Sequence, residues 1–264
     1  MSFIRVDDIQ LAYEDTGLGL PIVLLHGYPF NRSLWTEQVN ALSNRYRVIT
    51  PDLRGLGESD ATSGAATMNR MAHDIAALLD HLEISRAVVG GLSMGGYVAL
   101  AFYKLFPSRV RALVLADTRA QADTEEGKQA RFQQAEQARA EGMASIADAM
   151  LPKLLTPETV SKRPEVVKRV RDMMLKTKPE GAAGALLGMA ERDDQTALLP
   201  QISCPTLILV GREDPITPLQ DSVNMHREIA RSTFRVLNNA AHVSNLERTE
   251  LFNQELVRFL NLLR

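Results

Sequence analysis

The chain has 264 residues, 45% of them hydrophobic and 23% charged, with a formal net charge of −2. That length suits one large α/β domain, or one carrying an insertion, and the charge balance gives no electrostatic footprint for nucleic acid or an anionic membrane. The lone cysteine, Cys204, excludes an internal disulfide and fits a reducing cytoplasm, and no apolar run approaches the ~20 residues that cross a bilayer.

Phe3 to Tyr13 alternates apolar and polar residues around Asp7-Asp8, which predicts a two-stranded hairpin. The acidic residues there and at Glu14 and Asp15, with no basic leader, do not read as a signal peptide, so a cytoplasmic location is expected. Pro21 to Leu25 suits a buried parallel strand. Leu34 to Leu42 reads as a helix and Arg47 to Thr50 as a strand, closed by Pro51 and a loop from Asp52 to Ser59. Thr67 can cap the next helix, which sets Met71, Ile75, Leu78, Leu79 and Leu82 on one face.

The apolar run Ala87 to Gly90 leads into Gly91-Leu92-Ser93-Met94-Gly95 and then a helical run from Gly96 to Phe102. A strand, a G-x-S-x-G turn and a helix in that order hold a serine hydroxyl exposed on a sharp bend. A Cβ at Gly91 or Gly95 would collide with neighbouring backbone in so tight a turn. Arg111 to Ala116 is a further strand, ending at Asp117. The alternation of strand and helix argues for a parallel sheet covered on both faces.

From Thr118 to about Leu199 no strand is predicted. Glu125 to Glu141 is rich in helix formers, Pro164 opens a helix with a stripe of Val166, Val167, Val170, Met173 and Met174, and Pro179 opens another. An all-helical insert between two strands reads as a cap, which divides the chain into a core (1–117), a cap (118–199) and the rest of the core (200–264). Five methionines fall in the cap (Met143, Met150, Met173, Met174 and Met189) and suit either an adaptable pocket or packing between helices and sheet. The sheet resumes at Pro205 to Val210. Thr217, Pro218 and Gln220 form a capping-box pattern, Thr233 to Leu237 is the last strand, and a helix from Glu247 to Leu263 ends the chain.

Ser93, Asp214 and His242 each follow a predicted strand. A serine hydroxyl needs a base to take its proton, and the base needs an anion to fix its tautomer. Ser93 is therefore the expected nucleophile, His242 the base and Asp214 its partner. Asp117 is the rival for the carboxylate because it too ends a strand. The backbone N–H of Met94 is the expected oxyanion donor, with Tyr28 as the second, since Gly27 lets the chain turn and Pro29 has no N–H. His26 is expected to be structural, as are Asp52, Arg54, Gly55, Gly57 and Ser59. No histidine pairs with Cys or carboxylates at metal-ligand spacing, so no metal is expected. The basic run Lys162, Arg163, Lys168, Arg169 and Arg171 is broken by Glu165 and Asp172 and reads as a solvated helix face.

His26-Gly27-Tyr28-Pro29, Asp52-Leu53-Arg54-Gly55-Leu56-Gly57-Glu58-Ser59, Gly91-Leu92-Ser93-Met94-Gly95-Gly96, Gly211-Arg212-Glu213-Asp214 and Ala241-His242 together resemble the α/β-hydrolase superfamily. Within it the chain is most similar to small capped bacterial carboxylesterases and the related enol-lactone hydrolases. The resemblance covers nearly the whole chain. It implies a mostly parallel eight-stranded sheet with an all-helical cap before the last two strands. It also implies hydrolysis of short-acyl esters, as small-molecule substrates, through an acyl-serine, with no cofactor. Lactonase, perhydrolase, carbon–carbon hydrolase and acyltransferase activities use the same residues, and a silent ligand-binding member of the fold is a further alternative. A carboxylated lactone substrate calls for a cation in the pocket, and sequence does not place Arg119 there.

Overall fold

The computed structural model describes residues 1–263. Eight strands, β1 (Ser2–Val6), β2 (Ile9–Thr16), β3 (Leu20–Leu25), β4 (Tyr46–Pro51), β5 (Ala87–Leu92), β6 (Val110–Ala116), β7 (Thr206–Gly211) and β8 (Ser232–Leu237), form one sheet in the order β1-β2-β4-β3-β5-β6-β7-β8. The first hairpin and the β2–β4 pair are antiparallel and all later pairs are parallel. This is the mostly parallel eight-stranded sheet that the sequence predicts.

The sheet is buried on both faces, which explains why its central strands are continuous apolar runs. Successive side chains of β3 alternate between the two halves of the core: Ile22 and Leu24 pack with Trp35, Phe252 and Phe259, whereas Val23 and Leu25 pack with Ile75, Val98 and Phe102. The covering helices are α1 (Thr36–Leu42), α2 (Met68–His81) and α3 (Met94–Leu105) in the first part of the chain. Thr67 caps α2 as its sequence predicts, its side chain accepting from the Arg70 N–H at 3.2 Å.

Between β6 and β7 lie α4 (Glu125–Glu141), α5 (Met143–Leu154), α6 (Pro157–Lys162), α7 (Pro164–Leu175) and α8 (Pro179–Ala190). The sequence patterns find α4, α7 and α8 but not α5 and α6. Gly142, at φ 78°, ends α4 and restarts the chain at once, and Pro152 interrupts the α5 pattern. Helix α8 presents small residues to the loop after β4. A Cβ on Gly188 would lie 1.9 Å from the Ala66 carbonyl oxygen, and one on Gly181 1.6 Å from that of Gly55.

The last part of the chain carries α9 (Leu219–Glu228), α10 (Ser244–Glu247) and α11 (Thr249–Asn261). One sequence expectation is corrected here. The capping box does not form, because Pro218 rather than Thr217 sits at the N-cap of α9, without a side-chain bond. The terminal helix α11 lies within the predicted Glu247–Leu263, and the sequence does not predict the short α10 before it.

Candidate active site

Ser93 stands between β5 and α3 at φ 55° and ψ −117°, a conformation costly for a residue with a side chain. The surrounding glycines make it possible. A Cβ on Gly91 would lie 2.0 Å from the Gly95 carbonyl oxygen, and one on Gly95 2.1 Å from that of Leu25. The backbone of the turn is further held by Thr118, whose Oγ1–H donates to the Ser93 carbonyl at 2.8 Å. The result is a hydroxyl fixed at the carboxyl edge of the sheet, 8% exposed.

Loops after β7 and β8 bring two more groups to the same edge. His242 Nε2 lies 2.8 Å from Ser93 Oγ, and His242 Nδ1 lies 2.8 Å from Asp214 Oδ2. The Asp214 carboxylate is fully engaged: Oδ1 accepts from the N–H groups of Ile216 (2.8 Å) and Thr217 (3.1 Å), and Oδ2 from Thr217 Oγ1 (2.6 Å). Burial alone would raise its pKa, but the facing His242 and the Thr217 donors hold it below the ordinary carboxylate value. An ionised Asp214 at Nδ1 fixes the tautomer that leaves Nε2 free to accept a proton from Ser93.

Asp117, the rival carboxylate, has different partners. It accepts from the Gly211 N–H at 2.7 Å and from Ser244 Oγ–H at 2.5 Å, and so braces the loops that carry Asp214 and His242. Burial, and then the charge of Asp214, push its pKa well above the ordinary value.

The loop after β3 packs against the serine. A Cβ on Gly27 would lie 3.2 Å from Ser93 Cβ and 3.1 Å from the Leu92 carbonyl oxygen. That packing puts the Tyr28 backbone next to Ser93. Met94 opens α3, so its N–H belongs to the first turn and has no intrahelical acceptor. The fully buried His26 bridges two loops: its Nε2 accepts from the Leu53 N–H at 2.9 Å, which leaves Nδ1–H to donate to the Gly27 carbonyl at 3.0 Å. Burial lowers its pKa, consistent with a neutral structural imidazole. Asp52 ties Arg32 and the Glu58 N–H (2.8 Å), and Arg54 pairs with Asp74 at 2.6 Å, so this stretch holds a loop together as expected.

Arg119 is engaged in an ion-pair cluster. It donates to Asp123 at 2.8 Å, where Arg131 (3.0 Å) and Arg192 (2.7 Å) converge too. The buried Asp123 carboxyl would be raised by desolvation, but Arg192 and Arg131 hold it below its ordinary range. The Arg192 guanidinium also stacks 4.3 Å above the Tyr97 ring. The five methionines between β6 and β7 all join the packing: Met143 and Met189 join Tyr28 and Leu53 in one part of the core, Met173 and Met174 join Phe30 and Trp35 in the other, and the partly buried Met150 packs against both. Sequence reasoning missed Thr217 and Ser244 as supports of the carboxylates; the spacing of Thr217 three residues after Asp214 was the one available signal.

A strained serine at a strand-to-helix turn, an imidazole and a carboxylate on one edge of a mostly parallel sheet define the α/β-hydrolase class. The chain belongs to that family: the family model for the α/β-hydrolase fold matches residues 21–249. It is 33% identical over 252 residues to 3-oxoadipate enol-lactonase 2 of Acinetobacter baylyi, covering 95% of this chain and 92% of that protein. Among solved structures, a malate-bound thermophilic esterase from Thermogutta terrifontis superposes with a TM-score of 0.97 at 44% identity, covering 100% of this chain and 99% of the other. The enol-lactonase of Burkholderia xenovorans LB400 superposes with a TM-score of 0.93 at 32% identity, covering 98% and 100%. The protein is a hydrolase of this superfamily. Among the described residues, no helix is long and apolar enough to cross a membrane.

Proposed function

We propose that the protein is a serine carboxylesterase acting on short-acyl esters, with Ser93 as nucleophile, His242 as general base and Asp214 as its orienting anion. The observation that carries this reading is the unbroken relay Ser93 Oγ to His242 Nε2 to Asp214, with both links at 2.8 Å. As Ser93 Oγ attacks the acyl carbon, His242 Nε2 takes its proton, and the N–H groups of Met94 and Tyr28 donate to the developing oxyanion. The imidazolium then gives that proton to the departing alkoxide, leaving an acyl-serine and a free alcohol. Water enters, loses a proton to His242 and attacks the acyl carbon; the bond from that carbon to Ser93 Oγ then breaks, the imidazolium returns its proton to Ser93 Oγ, and the carboxylic acid leaves. The helices between β6 and β7 form the cap over this edge and exclude bulk water from the intermediate.

Enol-lactone hydrolysis, the second reading, uses the same steps with the alcohol still attached to the acyl group. The similarity to enol-lactonases favours it. The similarity to the thermophilic esterase, at 44% identity over the whole chain, favours simple esters instead. The test is turnover of p-nitrophenyl acetate beside a carboxylated enol-lactone, with mass spectrometry of quenched enzyme. A mass increase of one acyl group that is lost in Ser93→Ala supports the acyl-serine route. Ester turnover that survives Ser93→Ala overturns it, and a higher kcat/KM for the lactone transfers the assignment to the second reading.

A further inference from the structure

Glu247 is 5% exposed, at the end of α10 and five residues beyond His242. Its carboxylate has two ends with different partners. Oε2 accepts at 2.6 Å from the N–H of Ala241, the residue immediately before the catalytic histidine. Oε1 accepts from the Thr156 N–H and the Thr156 hydroxyl, both at 2.8 Å, at the joint between α5 and α6. All three partners are neutral donors, so the carboxylate is held by directed hydrogen bonds rather than by an ion pair. Two neighbouring bonds join the same pieces of chain: the Val243 N–H donates to the Leu154 carbonyl at 3.2 Å, and Arg163 Nη1 to the Glu247 carbonyl at 2.8 Å. The histidine loop therefore meets the helices between β6 and β7 through the Val243–Leu154 bond, the Arg163–Glu247 bond and the Glu247 carboxylate, and of the three only the carboxylate reaches the Ala241 N–H.

We propose that Glu247 is a positioning residue that couples the cap to the His242 imidazole. The proposal rests on the hydrolase mechanism above, in which His242 is the base. The α5–α6 joint has nothing else to bond to the Ala241 N–H. A shift of that joint would move Glu247 and pivot His242 relative to Ser93, so the base is in register only when the cap is seated. Misplacing a reacting group by about 1 Å costs up to roughly 100-fold in rate, so even a fraction of that shift is measurable. The carboxylate is needed for its two acceptor ends. An amide at this position keeps one acceptor oxygen and turns an NH2 group onto either the Ala241 or the Thr156 N–H, so one half of the link is lost.

The test uses the full chain and p-nitrophenyl acetate. For Glu247→Gln, kcat is expected to fall about tenfold while KM changes less than about twofold, because the binding surface is untouched and only the alignment of the base suffers. Thr156→Val, which removes the hydroxyl from the cap side, is expected to lower kcat several-fold, and Thr156→Ser to restore it. The double variant is expected to be no worse than Glu247→Gln alone, the sign of two residues acting through one link. Full kcat in Glu247→Gln, or additive losses in the double variant, overturns the coupling. If Glu247→Gln does not fold, the Thr156 pair decides alone: equal kcat for the Val and Ser variants overturns it. His242→Ala, run alongside, separates the two layers. Turnover that survives it removes the mechanism itself, whereas a dead His242→Ala with an unaffected Glu247→Gln removes only the coupling.

Discussion

Replacing Asp214 by Asn tests the proposed site most directly, because the structure fixes which way the new amide must face. Two backbone donors, the N–H groups of Ile216 and Thr217, point at Oδ1, and that end must stay an oxygen. The NH2 group is thereby turned onto His242 Nδ1, 2.8 Å away. An N–H donor there forces the ring proton onto Nε2, the atom that must accept the Ser93 proton. The wrong tautomer costs about 10⁴-fold in kcat, roughly 5.5 kcal/mol of transition-state stabilisation. Asp117→Asn is the control. Its partners are the Gly211 N–H and Ser244 Oγ, so an amide oxygen still serves the first and Ser244 can rotate to accept from the NH2. Less than about a tenfold loss is expected there, because the imidazole partner is intact. The assay is kcat/KM on p-nitrophenyl acetate, with thermal melting to show that both variants are folded. A folded Asp214→Asn within tenfold of the parent, or a larger loss from Asp117→Asn, would refute the reasoning and move the role to Asp117.

Thr217→Val removes the 2.6 Å bond to Asp214 Oδ2 and should lower kcat/KM by about tenfold, the scale of one hydrogen bond to a charged group. Tyr28→Phe deletes a buried hydroxyl with no hydrogen-bond partner; unfolding in urea should show the variant as stable as the parent or more so, by up to about 1 kcal/mol, and a loss above that would reveal a partner. Gly188→Ala drives a Cβ to 1.9 Å from the Ala66 carbonyl oxygen and should cost roughly 1–3 kcal/mol, read as a lower Tm. Asp117 has a folded pKa raised well above the 3.8 of the free group, so its stabilising contribution is complete below that value and is lost as pH rises through the folded one. The Tm of Asp117→Asn relative to the parent should therefore climb between pH 4 and 8; a constant difference would mean that Asp117 ionises normally.

The sheet was readable because its strands are buried on both sides, which leaves continuous apolar runs such as Thr206–Gly211 that need no partner to be recognised. Ser93, Asp214 and His242 were nameable because each follows such a run, and the turn at Ser93 carries its own steric signature in Gly91 and Gly95. The geometry that joins them was not readable, since Asp214 and His242 meet only when β7 and β8 pair in register. Local rules misled at Thr217, where a cap pattern is indistinguishable from a hydroxyl serving Asp214 until the loop is folded. Glu247 gave no signal at all: its partner Thr156 lies 91 positions away on another element. The helix α10 gave no signal because its four residues, Ser244–Glu247, are too few to show a helical period.

The strands β6 and β7 are parallel neighbours, yet the chain between them makes a detour of five helices. Both ends of the detour are pinned by the sheet, so its length and composition can change without disturbing the strand pairing beneath. Mutational drift can thus rework these helices while the groups of the proposed site stay on the fixed floor, so that under the proposed function a lineage could change what it digests without rebuilding how it digests.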